Sequence, residues 1–184
     1  MSKYLFLLYW LLKSFYTKNS GGLQIADYIF VLSFFVLLFE QLFLKKRRNL
    51  IFINKNDITL VYFVIFVFII NSLYWTLYNN NNFLYPILYF VFNLIVVIEF
   101  RLLSIESAFI RKFYYTTFFC ILIQLIVYFA GMGRWYTGSR YMGTFNDPNQ
   151  FAFFVMSRFF IMYIIYIRLK DKTLRQRILI VGIF

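Results

Sequence analysis

Histidine is absent from this chain of 184 residues, and cysteine occurs once, as Cys120. The chain therefore has no imidazole groups, and a single thiol cannot complete a zinc or iron site built from soft ligands. A lone cysteine also excludes an intramolecular disulfide, so the sequence does not indicate the redox compartment. The sequence accordingly predicts no metal site and no cofactor, and it excludes metal-thiolate and histidine-based chemistry within these residues.

Charged residues are also scarce, at 14% of the chain, whereas hydrophobic residues make up 62% and aromatic residues 25%. The mean hydropathy is +0.72. Because water-soluble domains are only about 45–50% apolar, this composition excludes an ordinary soluble domain. It predicts a protein embedded in a bilayer.

A helix needs about 20 residues to cross a hydrocarbon core of about 30 Å. Five apolar segments approach or exceed this length: residues 23–44, 58–78, 83–100, 113–130 and 151–167. The opening run, residues 4–12, is shorter and precedes Lys13, so it is either a short first span or an interfacial helix. A last apolar run begins at Arg177 and is too short to span. We therefore predict an all-α transmembrane helical bundle of about six spans plus the start of another, in a single domain of a longer protein or of a disrupted reading frame.

Lysine and arginine are concentrated in three of the predicted connections. They are Lys45, Lys46, Arg47, Arg48 and Lys55; Arg101, Arg111 and Lys112; and Arg168, Lys170, Lys172, Arg175 and Arg177. Short loops rich in Lys and Arg stay on the cytoplasmic side of a membrane, so the weakly charged loop 131–150 is predicted to face outward. This topology and anionic lipid headgroups account for the net charge of +12. No basic face remains for nucleic acid, which is excluded as a partner.

The outward loop contains four of the seven glycines: Gly131, Gly133, Gly138 and Gly143. Such a density is typical of backbone with unusual dihedral angles, or of a backbone that a ligand approaches closely. We therefore predict a shaped loop rather than a simple linker. Arg134 and Arg140 supply the positive charge of this loop.

At the end of the loop, Asp147, Pro148 and Gln150 match the N-cap, the first helical position and the glutamine of a capping box. Such a helix start is predicted to present free amide donors and the positive end of the helix dipole to the outside, as a site for an anion. Arg134 and Arg140 lie a few residues away. Alternatively, the glycines and the Asn-Asp-Pro-Asn sequence only turn the chain and cap a helix, while the arginines meet lipid phosphates.

Arg158 lies about ten residues into the last span, or about 15 Å deep at 1.5 Å per residue. A charge at that depth indicates function. Asp147, Phe151 and Arg158 share one helix face, which predicts a stripe that lines a polar cavity. The alternative is a structural ion pair between Arg158 and Asp27 or Glu40.

Residues 140–154, with the sequence RYMGTFNDPNQFAFF, resemble the loop-to-helix signature of the O-antigen ligase and O-antigen polymerase family. Members of that family are polytopic membrane enzymes that handle polysaccharides carried on a polyprenyl pyrophosphate. The resemblance carries over to Arg140, Gly143, Phe145, Asn146, Pro148, Asn149 and Ala152. It covers the amino-terminal half of such a protein at best, so residues 1–184 alone are expected to be inactive.

The resemblance implies a glycosyltransferase of bacterial O-antigen or capsule assembly in the cytoplasmic membrane, which moves a glycan from its polyprenyl pyrophosphate carrier to an acceptor sugar. Its expected partners are this lipid-linked oligosaccharide, membrane lipids and other polysaccharide assembly proteins. The expected substrate-binding residues are Arg134, Arg140, Gly143, Asn146, Asn149 and Arg158. Arg134 is included for its proximity to the motif and Arg158 for its depth. No catalytic base is identified; Asp147 is a candidate, although capping also explains it.

Polymerase and ligase activities are not separated by these residues, because the histidine thought to serve the family's ligases lies in a later loop. Two other hypotheses stay open. A lipid-linked oligosaccharide flippase or other transporter also has many spans and charges at mid-membrane, but such proteins are usually built from repeats, and no repeat is visible here. The third hypothesis is an inactive remnant of a disrupted gene.

Overall fold

Six α-helices make up most of the chain in the computed structural model, which describes residues 1–17, 22–44 and 55–168. They are α1 (Ser2–Leu12), α2 (Ile25–Phe39), α3 (Ile58–Tyr78), α4 (Leu84–Ser104), α5 (Ser107–Phe129) and α6 (Pro148–Arg168). α2 continues as a π-helix, Glu40–Leu44, and an antiparallel hairpin of β1 (Arg134–Tyr136) and β2 (Arg140–Gly143) precedes α6. The all-α class predicted from the sequence is confirmed, and the hairpin is an addition to it.

Five of the described helices are long and apolar enough to cross a membrane, as the composition predicts. Their boundaries agree closely with the predicted spans except between α4 and α5, where only Ile105 and Glu106 separate the helices. The predicted connection is therefore shorter than expected, and its basic residues lie in the helix ends that flank it. Arg101 belongs to the last turn of α4, and Arg111 and Lys112 belong to the beginning of α5. A helix can continue past the apolar core because long charged side chains at its end reach the polar interface.

The chain divides into two compact units, of which one is Leu37–Ile105 and the other combines Met1–Val36 with Glu106–Phe184. The single transmembrane domain predicted from the sequence stays a prediction. The basic residues at 45–48 and 170–177, which contributed to the predicted orientation, lie outside the described residues. The terminal apolar run that suggested a longer protein lies outside them as well.

In the unit of residues 37–105, α3 and α4 form an antiparallel pair joined by a tight turn. Asn79 ends α3 in the left-handed region, with a φ of 47°, a conformation that asparagine tolerates better than most residues. Trp75 Nε1 donates to Asn81 Oδ1 across this turn at 3.0 Å. At the other end of the pair, Arg101 Nη2 lies 3.0 Å from Asp57 Oδ2, so this basic residue is neutralised within its own unit.

In the other unit, α1 packs lengthwise against α5 and runs in the same direction. Lys3 forms an ion pair with Glu106 where both helices begin, and Trp10 Nε1 donates to Thr117 Oγ1 further along at 3.0 Å. The 11 residues of α1 measure about 16 Å, which is too short to cross a membrane. Phe6 is fully buried, so α1 belongs to the helix packing. The opening run is therefore shorter than a complete span and packs along another helix of its unit.

α2 runs back along α1. Ser33 Oγ donates to the carbonyl oxygen of Ser2 at 3.0 Å, and Asp27 Oδ1 lies 2.6 Å from Lys13 Nζ at the other end of the helix pair. The second carboxylate oxygen of Asp27 accepts the backbone N–H of Gln24 at 2.9 Å. The charge of Asp27 is thus already compensated where α2 begins.

Candidate functional site

The glycine-rich loop forms the hairpin that directly precedes α6. Tyr136 pairs with Arg140 across the hairpin, and the register shifts beside Arg134. The turn places Thr137 and Gly138 at positive φ values of 50° and 75°, a region that costs glycine nothing. The segment is therefore a shaped loop, as its composition predicts.

Two exposed arginine side chains extend from the hairpin to the start of α6. Arg134 Nη1 donates to Asn146 Oδ1 at 3.0 Å, and Arg140 Nη2 donates to Asn149 Oδ1 at 3.1 Å. A guanidinium group has five N–H donors, so each arginine uses a small part of its capacity on its asparagine. We call these four residues the hairpin arginine site. The structure thus brings together four of the six predicted substrate-binding residues.

The first turn of α6 is closed to an anion by its own cap. Asp147 Oδ1 accepts the backbone N–H groups of Asn149 and Gln150 at 2.7 and 3.2 Å. Pro148 has no N–H group, and that of Phe151 donates to the carbonyl oxygen of Asp147. The predicted N-cap and first-position proline are confirmed. The predicted amide site for an anion is wrong, because these donors are satisfied and a carboxylate already occupies the positive end of the dipole.

The predicted capping box does not form either. Its glutamine should return to the backbone of the N-cap residue, but Gln150 Oε1 is buried and has no hydrogen-bond partner among the described residues. The two hydrogen bonds that Asp147 accepts show that this residue caps the start of α6. Arg134, Arg140 and Asp147 together give the outer surface at this point a net charge of +1, carried by the guanidinium groups.

Gly143 is the last residue of β2 and is buried. Its φ is 61°, and a Cβ atom there would lie 2.6 Å from Gln124 Oε1 and 3.1 Å from the ring of Phe151. Gln124 Nε2, on α5, donates to the carbonyl oxygen of Ser14 at 3.1 Å and to Thr144 Oγ1 at 2.8 Å. The requirement for glycine is therefore explained by the close approach of the hairpin to α5 and α6.

Gln124 and Thr144 are supporting residues that the sequence-based reasoning missed. Gln124 is only 2% exposed, and the backbone N–H of Tyr16 donates to the Thr144 carbonyl oxygen at 3.2 Å. The segment after α1, α5 and the hairpin are thus joined by one polar network. Gln124 could have been found from the sequence, because a glutamine in an otherwise apolar span is typical of a polar contact between helices.

Tyr141 anchors the other face of the hairpin among aromatic rings. Its ring centre lies 5.2 Å from that of Trp135, 5.0 Å from that of Tyr128 and 5.3 Å from that of Phe151. A Cβ atom on Gly133 would overlap the phenol ring. Burial, with a smaller contribution from Tyr128, raises the pKa of the Tyr141 phenol above its ordinary value, so this ring stays neutral at physiological pH. The hairpin therefore has a fixed apolar base below its exposed arginines.

Arg158 is separate from the hairpin arginine site. Its guanidinium carbon lies 3.2 Å from the ring centre of Trp10 and 4.8 Å from that of Phe154, and the residue is 5% exposed. Phe151, on the same helix face, packs against Tyr141. This face is filled by aromatic rings, so the prediction that a stripe from Asp147 to Arg158 lines a polar cavity is wrong.

The alternative prediction for Arg158, a structural ion pair, also fails within its own unit. Asp27 is paired with Lys13, and Glu40 belongs to the other unit. The carboxylates of Glu106 and Asp147 are engaged by Lys3 and by backbone amides. The described part of this unit therefore provides aromatic faces for Arg158 but no carboxylate.

No protein-family model, curated protein or solved structure matches the chain. The described residues also contain no group of three or more Cys, Asp or Glu side chains that could hold a metal ion. The function is therefore proposed from the hairpin arginine site and from the resemblance of the motif that builds it.

Proposed function

We propose that the complete protein transfers a glycan from a polyprenyl pyrophosphate carrier to an acceptor sugar, as a polymerase or ligase of bacterial surface polysaccharides in the cytoplasmic membrane. The observation that carries this proposal is the hairpin arginine site, where two exposed guanidinium groups converge on the start of α6. The lipid-linked oligosaccharide is the substrate. Membrane lipids and other polysaccharide assembly proteins are the expected partners.

The geometry of the two arginines suits a pyrophosphate. A guanidinium group presents its donors in a planar fork that binds phosphate oxygens bidentately, and it remains charged at any physiological pH. In this site each fork is held by the amide oxygen of a neutral side chain, Asn146 or Asn149. An asparagine orients the arginine without neutralising it, whereas a carboxylate in the same place would cancel the charge that the ligand needs.

Glycan transfer requires the positive charge of the arginines when the pyrophosphate leaves. An acceptor hydroxyl oxygen forms a bond to the anomeric carbon, the bond from that carbon to the pyrophosphate oxygen breaks, the electron pair leaves with the pyrophosphate, and the hydroxyl proton passes to the departing pyrophosphate or to water. Cations that are already in position stabilise the developing negative charge without reorganising. Trp135 and Tyr136 lie on the same hairpin with about half of their surface exposed, 50% and 51%, and their rings offer flat faces for a sugar.

A lipid-linked oligosaccharide flippase is the second candidate, and the buried charge of Arg158 favours it because intramembrane cations often mark transport pathways. The test uses membranes that contain the complete protein, supplied with a polyprenyl pyrophosphate oligosaccharide labelled in its sugar. We expect the label to appear in longer chains or on an acceptor, with release of free polyprenyl pyrophosphate. Movement of the unchanged substrate across the membrane would support the flippase instead, and neither reaction would support the inactive remnant.

The proposed orientation places the hairpin arginine site on the outer side of the membrane, following the distribution of Lys and Arg. Single cysteines at Thr137, Ser139 and Asn49 in a Cys120→Ser background test it with an impermeant thiol reagent on intact cells. Thr137 and Ser139 are exposed in the hairpin turn, so we expect both to be labelled and Asn49 to be protected. The reverse pattern would place the site in the cytoplasm and contradict the proposed function.

A further inference from the structure

The turn between α3 and α4 is made of four consecutive asparagines, residues 79–82, and all four are exposed. Asn80 Oδ1 accepts the backbone N–H of Asn82 at 3.0 Å. Asn81 Oδ1 accepts the indole N–H of Trp75 at 3.0 Å. Because a side-chain amide carries two N–H donors beside its oxygen, Asn80 and Asn81 are held in place by their oxygens and keep their donors for a ligand.

Three aromatic rings lie beside this turn with their faces turned in similar directions. The ring centre of Tyr74 lies 5.9 Å from that of Tyr78 and 5.5 Å from that of Phe83. The ring centres of Tyr78 and Phe83 are 6.0 Å apart, and the three interplanar angles are 12°, 24° and 34°. Three nearly equal distances exclude a linear stack, in which the outer rings would be twice as far apart. The rings therefore form a cluster with a broad aromatic face, which we call the tyrosine platform.

The aromatic belt of membrane proteins explains aromatic residues at this level but not this arrangement. A belt residue lies in the interface with its polar end toward water and headgroups. The indole N–H of Trp75 is instead used inside the turn, on Asn81. Tyr78 is 65% exposed although it contacts two other rings. The turn and the platform thus combine an open aromatic face with amide donors whose positions are fixed.

The ligand that suits this surface is uncharged. The sequence contains no charged residue between Asp57 and Glu99, so the turn offers no cation to a phosphate and no carboxylate to an ammonium group. Aromatic faces with a few fixed polar groups are typical of small-ligand sites. A pyranose sugar fits both features, because its C–H groups form an apolar face and the oxygens at its edge accept hydrogen bonds.

We propose that residues 79–82 and the tyrosine platform bind an uncharged sugar ring of a glycan, with the ring on Tyr78 and its oxygens at the amides of Asn80 and Asn81. This site is separate from the hairpin arginine site, which is proposed to take the pyrophosphate. Its use in holding a neutral part of the glycan rests on the proposed function. The binding itself does not, and it can be measured whether or not the complete protein transfers glycan.

The first measurement is saturation-transfer difference NMR on the purified full chain. The detergent is a polyoxyethylene ether, because the sugar headgroup of a maltoside would compete for the site. The probes are maltotriose, cellotriose and tri-N-acetylchitotriose. We expect at least one of them to bind saturably with a Kd on the order of 1 mM, because an open surface buries little of its ligand. The absence of saturable binding by all three probes would overturn the proposal.

The matched variants are Tyr78→Leu and Tyr85→Leu, because both tyrosines are 65% exposed and they lie at adjoining helix ends. Tyr85 is not part of the tyrosine platform. We expect Tyr78→Leu to weaken binding by about tenfold and Tyr78→Phe, which keeps the ring, to stay within about twofold of the native affinity. Tyr85→Leu should bind as the native chain does. All three variants should keep a melting temperature close to the native value, since the replaced side chains are exposed.

Two results with the variants would contradict the sugar site at this turn. Equal losses in Tyr78→Leu and Tyr85→Leu would show that the rings act only as an interfacial belt. Native affinity in Tyr78→Leu would remove the platform from the binding site, and a loss in Tyr136→Leu instead would place the sugar at the hairpin. Neither result depends on whether glycan transfer is observed, so this proposal and the proposed function fail separately.

Discussion

Replacing Arg140 by alanine in the complete protein should lower glycan transfer by about 100-fold or more while leaving the amount of protein nearly unchanged. A hydrogen bond from a charged donor contributes about 1.5–3 kcal/mol, and the loss of two such bonds to the leaving pyrophosphate removes at least about 3 kcal/mol from transition-state stabilisation. Arg140 is exposed, and its hydrogen bond within the described chain is to Asn149. The fold therefore depends little on this side chain.

The conservative variant separates a binding role from a structural one. Arg140→Lys should recover only part of the transfer, because one ammonium group cannot reproduce a fork that bonds both Asn149 and two phosphate oxygens. Arg111→Ala, at an exposed arginine near the start of α5, is the matched control and should keep native transfer. The measurement is transfer by membranes, normalised to the amount of each variant. Near-normal specific activity in both Arg140 variants would reject Arg140 as a pyrophosphate ligand, and reduced abundance with normal specific activity would indicate lipid anchoring.

Alanine at Gly143 should destabilise the protein by about 3–5 kcal/mol, whereas alanine at Gly138 should cost about 1–2 kcal/mol. Both glycines have positive φ, 61° and 75°, so both variants carry the same kind of backbone strain. At Gly143 the new Cβ atom would also lie 2.6 Å from Gln124 Oε1, and moving Gln124 would break its bonds to Ser14 and Thr144. At Gly138 nothing lies within 4 Å of the new atom.

The comparison between the two glycines isolates packing from backbone strain. The readout is the melting temperature of each variant in neutral detergent, together with its abundance in membranes. The double variant Gly143→Ala with Gln124→Ala should be less destabilised than the sum of the two single variants, because removing the amide makes room for the new methyl group. Equal effects at Gly143 and Gly138, or strict additivity in the double variant, would show that the close approach to Gln124 is not what requires glycine.

Much of the hairpin arginine site could be predicted because its parts are consecutive in the chain. Arg134, Arg140 and the two asparagines lie within 16 positions, so a hairpin followed by a capped helix brings them together without any distant contact. Whether the first turn of α6 is free to bind an anion could not be predicted in the same way. Whether the Asp147 carboxylate turns onto the amides of its own helix or leaves them free is decided by side-chain geometry, and the sequence pattern is compatible with both.

The surroundings of Arg158, in contrast, could not be predicted from neighbouring residues. Its depth along α6 follows from counting residues, and the need to compensate its charge follows from the low polarity of its surroundings. Its aromatic partner Trp10, however, is 148 positions away in the chain, and no periodicity within α6 indicates that contact. The prediction of a polar cavity is wrong for this reason, and the predicted ion pair does not form within the unit that contains Arg158.

The amino-acid sequence by itself determined that the solvent is a bilayer, that the chain is helical, and where most of the long helices lie, because these properties follow from composition and from the lengths of local apolar runs. It also determined that a shaped glycine-rich loop precedes α6 and that this helix begins at Pro148, because these features depend on neighbouring residues. The tertiary structure alone decided that α1 packs along α5, that Gln124 joins the hairpin to the segment after α1, and that Arg158 lies against Trp10. These contacts join residues more than 100 positions apart or on different helices, and in an apolar chain many surfaces are equally able to pack until shape and the few polar groups select one arrangement.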